Sequence, residues 1–360
     1  MTDILNFNPM QLSNFSKAAD HSVSNSIVYR PRPADARSED GVYRSVIKVI
    51  YNPHDFQASI IEQQSYNMHD DHGYFNVVSS LTNGDLSCPI FKAWKKCRYA
   101  EDGSDLHNQC DKGLFDKSFS RYVTIQVIED KNKPELEGNY MVWKMPRAVW
   151  DIIQTKMTPA PESRKAPIPV MDFLVGRAIE LEVTPGPDDP AHPERKTREI
   201  KYNTSSVTDD ITSCTNPDGS SLLTDEQQEI LNTYIADMSK VWKEKDPKKR
   251  KEYLDEVNTK ENTQAFSKFY TEEIIPKIQS FAPNVKEECG YKPWSEEVTA
   301  RVNRWINIVL SGNDPAITTS DVSASDAIVS SINTESVSSP ESAPVIDTNN
   351  SDMVEDDLPF

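Results

Sequence analysis

The chain has 360 residues, with 57 Asp and Glu against 39 Lys and Arg and a formal net charge of −18. Apolar residues make up 37%, short of what a wholly folded chain carries, so part of it is expected to stay unfolded. This balance excludes attraction of polyanions by the overall field. With no apolar run near the ~20 residues of a membrane span, it excludes a membrane protein as well.

The charge is unevenly spread. Ten acids and no cations follow Arg304, while the 39 cations and 47 acids before that point leave −8 on residues 1–304. Any anion-binding surface must therefore be a local basic groove. The five cysteines are odd in number and scattered, which reads as reduced thiols. The N-terminal segment carries Asp3 and no basic stretch leading into an apolar run, so it does not read as a signal peptide, and a cytosolic protein is expected.

Residues 1–40 read as a mostly flexible arm with short apolar patches at Ile4-Leu5, Phe7 and Ile27–Tyr29. From Val42 to Tyr51 a strand carries Tyr43, Ile47 and Val49 on one parity, Arg44 and Lys48 on the other. Ala58–Tyr66 and Tyr74–Ser79 read as further strands around the loop His69-Asp70-Asp71-His72-Gly73. Pro89 to Tyr99 interleaves Lys92, Lys95, Lys96 and Arg98 with Phe91, Trp94 and Tyr99. Cations among aromatics are what a single-stranded nucleic acid needs, charges for phosphates and rings for bases. The alternative is an amphipathic helix whose lysines are merely solvated.

Lys117–Met157 is the central module. Val123, Ile125 and Val127 alternate with Tyr122, Thr124 and Gln126, Pro134 and Gly138 turn the chain, and Tyr140–Met145 returns. Val149, Trp150, Ile153 and Met157 then share one helical face. Phe173–Val183 reads as a long strand and Arg198–Ser205 as its return. This many strands with helices inserted between them predicts a mainly β fold, an OB-type Greek-key barrel over 41–207.

A helical region is expected over 208–310, opened after a polar loop by the capping box Thr224-x-x-Gln227. Further helices are expected at Asp246–Val257, Phe266–Phe281 and Ser295–Leu310, packed as a buttress on the barrel. Residues 311–360 read as a disordered acidic tail.

The segments CPIFKAW, SRYVTIQVIED, KPELEGNY and VWKMPRAVWDII, within about residues 41–262, resemble the T-even phage helix-destabilising proteins, which bind single-stranded DNA through an OB fold. The resemblance implies a non-enzymatic protein that coats DNA in phage replication, recombination and repair, in the cytoplasm of an infected bacterium. It also implies the DNA contacts Tyr99, Tyr122, Trp143 and Tyr202 as stacking rings and Lys117, Arg121 and Lys144 as cations. These join Arg44, Lys48, Lys92, Lys95, Lys96 and Arg98 from the strand and interleaving patterns. For Trp143 the alternative is a core indole between Met141 and Met145. The family's arm is basic and mediates self-association along DNA, whereas here the first 29 residues hold one cation, Lys17. An apolar contact by Ile4, Leu5 and Phe7 is the substitute. The tip Asp356-Asp357-Leu358-Pro359-Phe360 resembles the tail ends of bacterial single-stranded DNA-binding proteins, which implies docking of replication and recombination partners.

The resembled family also carries a zinc site of one His and three Cys. Here Cys88-Pro-Ile-Phe91 lacks the second thiol and Val78 stands at the histidine position, so no cofactor is expected from it. Cys88, Cys97, His107 and Cys110 have the spacing of a rebuilt zinc set, with isolated buried thiols as the alternative. Two other function classes remain. His69-Asp70-Asp71-His72 is the one candidate metal site for a phosphohydrolase or nuclease, against a solvated loop. A replication adaptor that gathers proteins without touching DNA is the other.

Overall fold

The computed structural model describes residues 27–160 and 165–316. The apolar patches Ile4-Leu5 and Phe7 and the tip Asp356–Phe360 lie outside the described residues.

The sheet is organised on one long strand. Its members are β1 (Val28–Tyr29), β2 (Tyr43–Val49), β3 (Ile60–Asp70), β4 (Gly73–Val78), β5 (Lys117–Glu129), β6 (Tyr140–Met145), β7 (Arg177–Val183) and β8 (Ser206–Ile211). The 13 residues of β5 exceed the reach of any one neighbour, so its partners change along one edge. Lys117–Val123 pair with β3 and Ile125–Glu129 with β2, while β6 lies along the other edge over Arg121–Gln126. From β2 the sheet continues through β7 to β8, β1 joins β6 in parallel, and β4 forms a hairpin with β3. The result is a mixed α/β fold built on an open, mostly antiparallel sheet of eight strands.

Helices cover both faces. In chain order they are α1 (Phe56–Ser59), α2 (Pro89–Arg98), α3 (Asp105–Asp111), α4 (Arg147–Met157), α5 (Arg195–Arg198), α6 (Asp225–Lys243), α7 (Pro247–Asn258), α8 (Glu261–Phe269), α9 (Ile275–Phe281), α10 (Val285–Cys289) and α11 (Glu296–Leu310). On one face Val123, Ile125 and Val127 meet Trp143, Ile179 and Leu181 under the apolar side of α4. A second core joins Tyr140 and Phe173 to the stripes of α6, α8 and α9. A third packs Tyr66, Met68 and Val77 of the hairpin against Ile90, Ala93 and Cys97 of α2 and Val302, Trp305 and Ile306 of α11.

The module from β5 through α4 follows its sequence pattern closely, because both of its periodicities are strong. Five other stretches differ. The strand expected at Phe173–Val183 starts only at Arg177, because Asp172 Oδ1 accepts from the Leu174 and Val175 N–H groups and holds Phe173–Val175 in a turn. Val28–Tyr29, read as part of an arm, are a parallel strand on β6, and the Tyr29 hydroxyl donates to Asp130 Oδ2 at 2.8 Å. The return expected at Arg198–Ser205 begins later: β8 pairs Val207 with Ile179, and only the bridge Thr184–Lys201 precedes it. The polar run SVTDDI hides that strand. The helix expected at Phe266–Phe281 is broken by a wide π turn at Tyr270–Ile274. Pro276, in the first turn of α9, has no N–H to continue the ladder, and the wide turn absorbs the break. In the hairpin, Asp70 and Asp71 are held by α11 rather than solvated. Arg301 grips Asp70 with two bonds of 2.7 Å, and Arg304 donates to Asp71 at 2.6 Å.

Candidate nucleic-acid interface

Pro89 starts α2, whose buried side is Ile90-Ala93-Cys97; Phe91 and Trp94 are half-buried against the same core on the flank near the start of β5, and Lys95 is exposed. The Phe91 and Trp94 rings stack 5.7 Å apart at 13°. Lys117 Nζ lies 4.6 Å from the Trp94 ring centre and 6.0 Å from that of Phe91, and Lys95 Nζ lies 4.8 Å from Phe91. Two cations thus sit over two stacked rings, each contact stabilised by the ring quadrupole. Partial burial lowers the Lys117 pKa, and the Cys88 thiol opposes that shift.

Alternation along β5 extends this surface. Lys117, Phe119 and Arg121 share a parity and span about 14 Å at ~3.4 Å per residue. Phe119 is 39% exposed, among the few large apolar side chains left open. Arg121 has a different setting: it pairs with Glu62 across the β3 register, and its guanidinium carbon lies 4.1 Å from the Trp150 ring. Lys96, Arg98 and Tyr99 at the C-terminal end of α2 are exposed, Tyr99 at 78%. Lys92 is half-buried.

Several expected contacts lie elsewhere. Trp143 is a core indole, 1% exposed, with Tyr202 tilted against it at 6.4 Å, and burial raises the Tyr202 pKa to about 12. Tyr122 is buried beneath α10 with Ile61, Val142 and Val285. The polar neighbours that suggest an open face are used in buried bonds: Thr124 Oγ1 donates to the Pro283 carbonyl at 3.4 Å and Gln126 Nε2 to the Thr215 carbonyl at 3.0 Å. Lys48, opposite Gln126, is fully buried, and desolvation lowers its pKa to about 8. Gly176 leaves the room for it, since a Cβ there would fall 2.5 Å from the amine. Arg44 is paired with Asp40 and Glu182. Lys144 is exposed but pairs in register with Tyr122, which puts it on the opposite face from Lys117.

Phe119 was the one residue of this surface that sequence reasoning passed over. Its signal is its place midway between Lys117 and Arg121 on their parity.

Of the zinc candidates, Cys97 and Cys110 lie within hydrogen-bonding reach of each other, while Cys88 and His107 have other partners. Cys88 accepts from Ser79 Oγ at 3.3 Å, Cys97 is buried with its pKa pushed to about 12, and His107 faces Asp102 at 3.7 Å. Cys110 lies 3.9 Å from the Trp94 carbonyl. Among the described residues no group of three His, Cys, Asp or Glu side chains is placed to hold a metal. In the hairpin, Arg301 and Arg304 occupy the carboxylates that a metal would require.

Over 143 residues, 39% of this chain, the sequence is 26% identical to the single-stranded DNA-binding protein of Enterobacteria phage T2. Against the single-stranded DNA-binding protein of Enterobacteria phage T4 it is 25% identical over the same length. The chain is similar to phage single-stranded DNA-binding proteins. The match spans 45% of the length of each relative, so it concerns a part of those proteins. No family model matches the chain. No helix among the described residues is long and apolar enough to cross a membrane.

Proposed function

We propose that the protein binds single-stranded DNA without sequence preference and coats it during phage replication, recombination and repair, with no catalysis of its own. The observation that carries this reading is the Phe91–Trp94 stack with Lys95 and Lys117 over its rings, continued by Phe119. Stacking tolerates every base, and the cations follow the backbone. The similarity to two phage proteins named for this activity supports it. In this reading the sheet acts as an OB-type platform. The acidic C-terminal tail, outside the described residues, gathers partner proteins through Phe360, and the protein works in the cytoplasm of the infected host. No metal is required for binding. A solution titration with poly(dT) and duplex DNA across salt tests the proposal. Single strands should bind far more tightly, with log K falling by about 0.7 per neutralised phosphate against log salt. Equal affinity for duplex, or a flat salt response, would refute it.

A further inference from the structure

The hairpin of β3 and β4 carries a second ring platform, on the face opposite the one that packs against α2 and α11. Tyr74 is 86% exposed and stacks on His69 at 4.3 Å and 26°. The two are cross-strand partners, so the lower ring fixes the upper one from behind while the outer face of Tyr74 meets solvent. The next cross-strand pair is Asn67–Asn76, with Asn76 Nδ2 donating to Asn67 Oδ1 at 2.5 Å. An open ring beside carboxamides has the chemistry of a nucleobase seat, a flat apolar face with donors and acceptors at its edge.

Most hairpin tips move, and a moving ring loses entropy when it captures a base. This tip is held from the other side. Arg301 and Arg304 of α11 bind Asp70 and Asp71, and Trp305 Nε1 donates to the His69 carbonyl at 3.0 Å. The same pairs neutralise two carboxylates that would otherwise repel a phosphate chain at this site. A lone ring among amides is also too small an apolar area to hold a folded protein partner. We propose that Tyr74, backed by His69, is an accessory stacking site for one nucleobase of a bound strand that passes over the β4 edge. This inference rests on the reading of the chain as a single-stranded DNA-binding protein.

The test uses the full chain, with dT oligomers of increasing length and 5-iodouracil oligomers for photocrosslinking. Tyr74→Ala should weaken long oligomers about fivefold, the low end of what one stacked base contributes, and leave short ones unchanged. Tyr74→Trp should retain or exceed the native affinity. Crosslinks should map to the peptide that contains Tyr74. Because the ring is exposed, the melting temperature should stay constant, which separates lost stacking from lost fold. If the native protein binds DNA while Tyr74→Ala matches it at every length and no crosslink reaches the hairpin, the accessory site is refuted and the main reading stands. If the native protein binds no single strand at all, both fall.

Discussion

Two cation–aromatic contacts lie on the same face of β5, four residues apart. At Lys117 the amine stands over Trp94 and Phe91 at an exposed position, and the influences on its charge are partial burial and the Cys88 thiol. At Arg121 the guanidinium stands over Trp150, but it is 8% exposed and Glu62 holds it. The pairing of residue types is the same, and what separates them is the carboxylate. A cation already neutralised inside the fold holds strands and helix together, while one without an ion pair at an open position remains available to a phosphate.

The largest expected effect is on the closed side. Arg121→Ala leaves Glu62 facing a buried gap and should cost about 3–5 kcal/mol of stability. Chemical denaturation would measure it, and the folded fraction should keep its affinity for poly(dT). A loss of affinity without a loss of stability would place Arg121 with Lys117 instead.

Lys48 extends the comparison to a cation wholly inside. The unfolded chain holds this proton to about pH 10.4. The folded protein releases it near pH 8, the value to which burial lowers the group. The unfolded state therefore binds more protons across that window, and the amine's penalty shrinks as pH rises through it. Lys48→Met removes the penalty. The stability of the variant relative to the native protein should be greatest below pH 8 and should narrow towards pH 10.4, read from denaturation curves at matched pH. A constant difference would mean that folded and unfolded states hold the proton equally, so that burial does not lower the pKa of this amine.

On the open side, Trp94→Ala should weaken single-strand binding by about 1–3 kcal/mol. Fluorescence anisotropy with labelled dT oligomers measures it. The smallest effect is expected for Lys117→Gln, which should reduce the slope of log K against log salt by about 0.7, one phosphate's share. An unchanged slope would remove Lys117 from the DNA path.

This contrast also marks what the sequence made legible. The β5–β6–α4 module was readable because Val123, Ile125 and Val127 alternate and Val149, Trp150, Ile153 and Met157 recur at helical spacing. The cationic aromatic segment is legible as a composition and forms the amphipathic helix α2, with Ile90, Ala93 and Cys97 buried and Lys95, Lys96 and Arg98 in its last turn. Tyr122 was misplaced for a physical reason. Thr124 and Gln126 look like a solvated parity, yet their polar groups are satisfied by backbone carbonyls about 90 to 160 residues away, which no local period encodes. Lys48 escaped in the same way, since a buried amine has the pattern of an exposed one. Trp143 followed its apolar neighbours Met141 and Met145 into the core. The status of Asp70 and Asp71 depends on arginines more than 230 positions downstream.

That last separation bears on how the molecule is made. A ribosome releases the hairpin of β3 and β4 long before it reaches the helix that holds it, at roughly 5–20 residues per second. Until Arg301 and Arg304 emerge, the two aspartates are unpaired and Met68 and Val77 lack the Trp305 side of their core. The hairpin is therefore a late-completing part of the protein despite its early place in the chain. A nascent product ending before residue 301 would carry bare apolar side chains, as an aggregation-prone intermediate does.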